Sequence, residues 1–270
     1  MPAPDTSERT CGRPVQFWLL FLIFLWLAHA LGYLVHEYAH TITAWMLGHK
    51  ANPLALTYGR LSAKNLLFLS DIDENVDYDP ILAAGKGFQA SLIAVAGVLF
   101  GNVVFYFISR KLFSLAKEQI RQMLGLFAFL LCLMNVGNFL DYVPVRTFTT
   151  HSDMARVEAG MRISPWWIAT VLGLPFAIAI WHFFARLLPD ARWFLFPQRR
   201  VPQTILVVVS SFTMFVYFGS AGMDGYGEVS RWISVFSVCV LFPGALILCW
   251  PRIREQKTPA RVCVQARTQR

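Results

Sequence analysis

The sequence predicts an all-α polytopic membrane protein of about six transmembrane helices, with a small hairpin-like loop after the first. Three observations predict it. The chain of 270 residues is 56% apolar, with a mean hydropathy of +0.49. Only 15% of it is charged, against about 25% in soluble domains, which leaves too little polar surface to face water on all sides. Apolar runs at about 15–47, 88–108, 122–142, 166–187, 203–222 and 232–250 approach or exceed the ~20 residues that cross a bilayer.

The first segment, 1–14, is polar and holds Pro2, Pro4, Pro14, Arg9 and Arg13. It is expected to be a disordered leader. Ala28-His29-Ala30 offers a small-x-small cleavage site of the signal-peptide kind, but the apolar run continues to Leu47. That run is about 50 Å long as one helix, more than the hydrocarbon core needs, so it should tilt, kink or project, with Gly32 as the weak point.

Gly48 and Pro53 then stop the helix and open the longest polar loop, 48–87. Its short apolar runs, Leu54 to Tyr58 and Asn65 to Leu69, flank Gly59-Arg60 and are expected to pair as a hairpin. Asp71, Asp73, Glu74, Asp77 and Asp79 follow. Asp71, Asp73 and Asn75 imitate the start of a calcium loop, but Val76 and Leu82 replace the glycine and glutamate it needs, so a solvated acidic loop is expected.

The second run is rich in small residues, including Gly97 and Gly101, which let helices approach closely in lipid. The third carries Asn135, Asn138 and Asp141 near its far end, followed by a loop with Pro144, His151 and Asp153. Three further runs and a basic tail at 251–270 complete the chain, with Asp224-Gly225 as an ordinary turn pair between the last two runs.

The formal net charge of +8 does not indicate nucleic acid, because the basic residues sit at the ends of apolar runs and in the tail. About two-thirds of the 24 Lys and Arg fall on one side of a six-span arrangement, which predicts both termini inside, as in a bacterial inner (cell) membrane. The five cysteines lack metal-finger spacing, and three lie within apolar runs, so packing is their expected role.

The chemistry concentrates in His36-Glu37-Tyr38-Ala39-His40, near the end of the first run. Ionisable groups inside an apolar span are costly to bury and mark functional sites. Residues four apart share a helix face, so His36 and His40 can hold one metal ion, with Glu37 beside them to handle the proton of a water. A catalytic zinc takes three protein ligands and keeps one position open. Asp153 is the first candidate for the third ligand, because a bend at Pro144 would return its loop to the bundle. Asp141 is the alternative and Asp224 a distant third. His29, His151 and His182 are isolated and read as hydrogen-bonded or packed histidines.

With these residues in view, the chain resembles the site-2-protease-like intramembrane metallopeptidases. The likeness covers roughly residues 30–155: the His36–His40 motif in a span, a hairpin-like loop after it, and the order Asn135 or Asn138, Pro144, Asp153. Asp153 is followed by Met154 where the family commonly has glycine, and the Pro-to-Asp gap is longer. The resemblance implies zinc held by His36, His40 and a distal aspartate, Glu37 as general base, Asn135 or Asn138 contacting an unwound substrate backbone, and a membrane-anchored protein as substrate. Two other readings compete. One is a catalytically silent scaffold or transporter that retains the motif. The other is a metal-dependent lipid-modifying enzyme, which normally needs more histidine boxes than six scattered histidines provide.

Overall fold

A computed structural model describes residues 14–223 and 225–251. The expected leader, the basic tail, Asp224, Cys11 and Cys263 lie outside the described residues, apart from Pro14 and Pro251 at the edges. The described chain is all-helical. Six helices are long and apolar enough to cross a bilayer, and the chain is a multi-pass membrane protein.

In order the helices are α1 (Pro14–Met46), α2 (Ala63–Phe68), α3 (Asp79–Ala83), α4 (Gly87–Glu118), α5 (Gln122–Val145), α6 (Asp153–Met161), α7 (Pro165–Leu195), α8 (Arg200–Met223) and α9 (Glu228–Cys249). The long helices are α1, α4, α5, α7, α8 and α9. Expected and observed spans coincide in number and order. The second and fourth run longer than expected, because polar residues such as Arg110 and Lys117 continue the helix beyond its apolar stretch. α1 passes through Gly32 without a break.

The six are not equivalent. In α5, 83% of the apolar window is buried, against 17% in α1 and 11% in α9, so α5 is the central post and the others surround it. Side chains such as Leu19, Leu22 and Ile23 on α1 and Ile247 and Leu248 on α9 point outward, as lipid-facing positions do. Aromatic stacking ties the post to its neighbours: Phe139 of α5 lies on Phe176 of α7 at 4.4 Å, and Phe129 on Phe183 at 5.4 Å.

The loop after α1 differs from the expected hairpin. Leu54–Tyr58 does pair, but through a single antiparallel bridge from Thr57 to Asp73. The Asn65–Leu69 run is instead mostly helix α2. Ser62 caps it by accepting the Asn65 amide, and Leu69 ends it in the left-handed region. The Asn65 side chain donates to the carbonyls of Tyr58 and Arg60 and accepts from the Asp71 amide, cross-linking the loop from within. The acidic patch is also not wholly solvated: Glu74 is buried, for a reason that belongs to the site.

Candidate metal centre

His36, Glu37 and His40 occupy the inward face of α1 and are only 2%, 4% and 0% exposed. Opposite them, α4 widens into a π-helical segment, Gly97–Val104. Such insertions recur at functional sites. At Gly97 a Cβ would overlap both imidazoles around their Nε2 atoms, so only glycine leaves room there. Small residues in this span therefore do more than bring helices together: one of them clears a cavity.

The third member arrives from the loop after α5. Val143 is extended and Pro144 removes a backbone donor, so the α5 helix ends here. Arg146 then pairs with Asp141 (Nε–Oδ1, 2.9 Å), and the Ser152 hydroxyl donates to the Arg146 carbonyl at 3.0 Å. Ser152 also caps α6 by accepting the Ala155 amide. Asp153 is thus the first residue of α6, where the helix dipole favours a carboxylate. α6 is seated by close backbone contact between Gly160 and Gly87 at the start of α4, and by Ser91 donating to the Val157 carbonyl at 3.2 Å.

The geometry that results is compact. Asp153 Oδ2 lies 3.4 Å from His36 Nε2 and 3.3 Å from His40 Nε2, and the two Nε2 atoms are 3.0 Å apart. Ligand atoms around a tetrahedral zinc with bonds of about 2.0–2.1 Å are separated by about 3.3–3.4 Å. The donor set, two imidazoles and a carboxylate, could hold a metal ion.

The hydrogen bonds behind the histidines show what those three atoms carry. His40 Nδ1 donates to the Ile93 carbonyl at 2.7 Å. A carbonyl can only accept, so Nδ1 bears a proton, and in the neutral imidazole Nε2 is then a lone pair. His36 Nδ1 donates to Asn102 Oδ1 at 2.6 Å. The Asn102 amide donates to Asn135 Oδ1 (3.3 Å), and the Asn135 amide to the Leu131 carbonyl (2.8 Å). The Leu131 carbonyl fixes the direction of this whole chain. In neutral His36, Nε2 is likewise a lone pair. With both imidazoles neutral, two lone pairs and a carboxylate oxygen converge, a group that could hold a metal ion.

Asp153's other oxygen is also held. Arg156 Nη1 reaches Asp153 Oδ1 at 3.2 Å and Glu74 Oε1 at 2.8 Å, with its guanidinium over the Tyr78 ring at 4.2 Å. This pair is why Glu74 is buried, and it clamps the acidic loop against the site. Lys50 reinforces the clamp by donating to the carbonyls of Glu74 and Asn75. Tyr142 stacks on His36 at 4.5 Å. A cleft of about 370 Å³ opens beside the centre, lined by Tyr33, Glu37, Asp73, Arg146, Asp153 and Arg156 among others. Glu37 faces this cleft.

Against the sequence-based expectations, the structure brings His36, His40 and Asp153 together. Asp141 is not with them. Its carboxylate is engaged by Arg146 instead. Asn135, expected to contact substrate, is fully buried with both ends of its amide used, so it supports Asn102 and not a ligand in the cleft. Asn138 is buried and belongs to neither chain of bonds. The other histidines stand apart: His29 bonds to the Phe68 carbonyl, His49 to Gln89, His151 to Thr149 and His182 to Arg110. Three contributors escaped sequence reasoning: Asn102, Arg156 and Glu74. An amide inside an apolar run was the available signal for Asn102.

Compared with protein-family models, with curated proteins and with solved structures, the chain matches none.

Proposed function

We propose that this protein is an intramembrane zinc metallopeptidase of the site-2-protease-like type, hydrolysing peptide bonds of membrane-anchored proteins. The observation that carries the reading is the convergence of two imidazole Nε2 atoms and one carboxylate oxygen beside a glutamate that faces an open cleft. Scaffolding or transport gives no reason for that set of atoms, whereas metal-assisted hydrolysis uses all of them.

Zinc bound there supplies Lewis acidity and lowers the pKa of water toward about 7. The chain's own residues do the rest. His36, His40 and Asp153 would hold the ion. Asn102 and Ile93 fix the imidazole tautomers, and Arg156 turns one oxygen of Asp153 inward. Glu37 accepts the proton of the attacking water and returns it to the departing amine, a general acid–base role. The cleft beside Glu37 admits water and an extended stretch of substrate backbone. The bias in basic residues orients both termini inward, which puts the cleft toward the outer face.

The test is Glu37→Gln in the full-length protein, assayed against membrane-anchored reporters. Cleavage is expected to fall by at least about a hundredfold while zinc content stays near one per chain. Full activity in this variant, or protein that binds no zinc, overturns the reading. Two irons per chain would favour lipid oxidation.

A further inference from the structure

A second polar cluster lies along α4, away from the metal centre. Arg110 is 13 residues beyond Gly97, about 20 Å along the helix axis. Between α4 and α7 is a cleft of about 250 Å³ whose charged lining is Arg110, Lys117 and Arg186 against Glu118 and Asp190, with His182 beside them. Its charges are unbalanced. Lys117 is paired with Asp190 at 2.8 Å. Arg110 and Arg186 have no carboxylate within 4.0 Å among the described residues. The polar contact Arg110 makes across the cleft is a bond from Nη1 to His182 Nε2 at 3.3 Å, which uses that nitrogen as an acceptor and leaves the imidazole uncharged.

The depth of this cleft identifies what balances it. Arg110 lies eight residues, about 12 Å, inside the end of α4. Its neighbours Phe107 and Ile108 are 63% and 57% exposed, as lipid-facing residues are. Trp181, next to His182, is 62% exposed, and tryptophans gather at the headgroup level of a bilayer. Arg110 stands just past the apolar stretch of α4, at the level where anionic headgroups attract basic side chains. Guanidinium groups match phosphate oxygens in geometry as well as charge.

We infer that the α4–α7 cleft is a phosphate-binding site, in which Arg110 and Arg186 bracket the phosphate of an anionic ligand at the membrane boundary. Two sources supply this chemistry: the headgroup of an anionic phospholipid, or free phosphate. The inference does not depend on the proposed peptidase activity.

The experiment uses the full-length protein in mild detergent, titrated with phosphatidylglycerol, with phosphatidylcholine and with inorganic phosphate. Native mass spectrometry counts adducts and thermal unfolding reports protection. The wild type is expected to retain phosphatidylglycerol about tenfold over phosphatidylcholine, and R110Q/R186Q to lose that preference. Restoration by R110K/R186K, with unliganded thermal midpoints unchanged, separates the site from a folding defect. Arginine-dependent protection by inorganic phosphate without a lipid preference supports the site and identifies free phosphate as its source. Equal retention of both lipids with no protection by phosphate, or a preference that survives in R110Q/R186Q, overturns the inference.

Discussion

The two halves of the bundle use buried polar atoms differently. In α1, α4 and α5 they form a directed chain, from the Leu131 carbonyl through Asn135 and Asn102 to His36. Each donor has one acceptor, and the chain ends on the atoms that converge. In α8 and α9 the buried polar residues are mostly serines. Ser237 donates to the Phe215 carbonyl and Ser234 accepts from the Gly222 amide, while the hydroxyls of Ser210, Ser211 and Ser230 have no partner among the described residues. Serines there act chiefly through their small size, which lets helices close up in lipid. The difference teaches that a polar atom inside a membrane bundle is informative when its bond is directional and ends somewhere. Burial alone does not distinguish a site from a packing seam.

Substitutions in the two halves should therefore differ sharply. The largest effect is expected from His40→Ala, which removes one of three converging atoms. Zinc affinity, read by competition with a chelator, should fall by more than about a hundredfold. Asn102→Leu touches no ion but frees the His36 tautomer and leaves Asn135 Oδ1 without its donor. The same titration should show a loss of about ten- to hundredfold, and an unchanged affinity would mean that the directed chain is packing like the serines.

Glu158, on α6 beyond the clamp, gives a smaller effect that depends on pH. Burial raises its carboxyl from 4.5 to about 7, and its Oε1 has no partner. The folded protein holds this proton more tightly than the unfolded chain, so Glu158 lowers stability as pH rises from about 4.5 to 7. Glu158→Gln should leave the thermal midpoint unchanged near pH 4 and raise it at pH 8. The gain should stay under about 1 kcal/mol, because much of the group is solvated. Ser210→Ala should do least, within about 0.5 kcal/mol by thermal unfolding in detergent. A loss comparable to that of Asn102→Leu would erase the contrast.

Much of the fold was legible because lipid imposes a simple rule. A span must be apolar and about 20 residues long, so composition along the chain reveals it. The near halves of the site were legible for a similar reason: His36, Glu37 and His40 are local, and helical periodicity alone puts the histidines on one face. The loop was less legible. Asn65–Leu69 is a short apolar run of strand length, yet the Ser62 cap and the cross-links of Asn65 make most of it a helix.

The sequence by itself determined the six apolar helices and the pairing of His36 with His40, since both follow from interactions within a few turns of chain. Only the tertiary structure decided that Asp153, and not Asp141, meets them. Asp141 ends the span that Asp153 follows, and the choice rests on the turn after Val143, on Arg146 occupying Asp141, and on the seating of α6 against α4. The same holds for Asn102 and for the Arg156–Glu74 clamp. Their partners lie 66 and 82 positions away in sequence, and packing, not local propensity, brings such residues together.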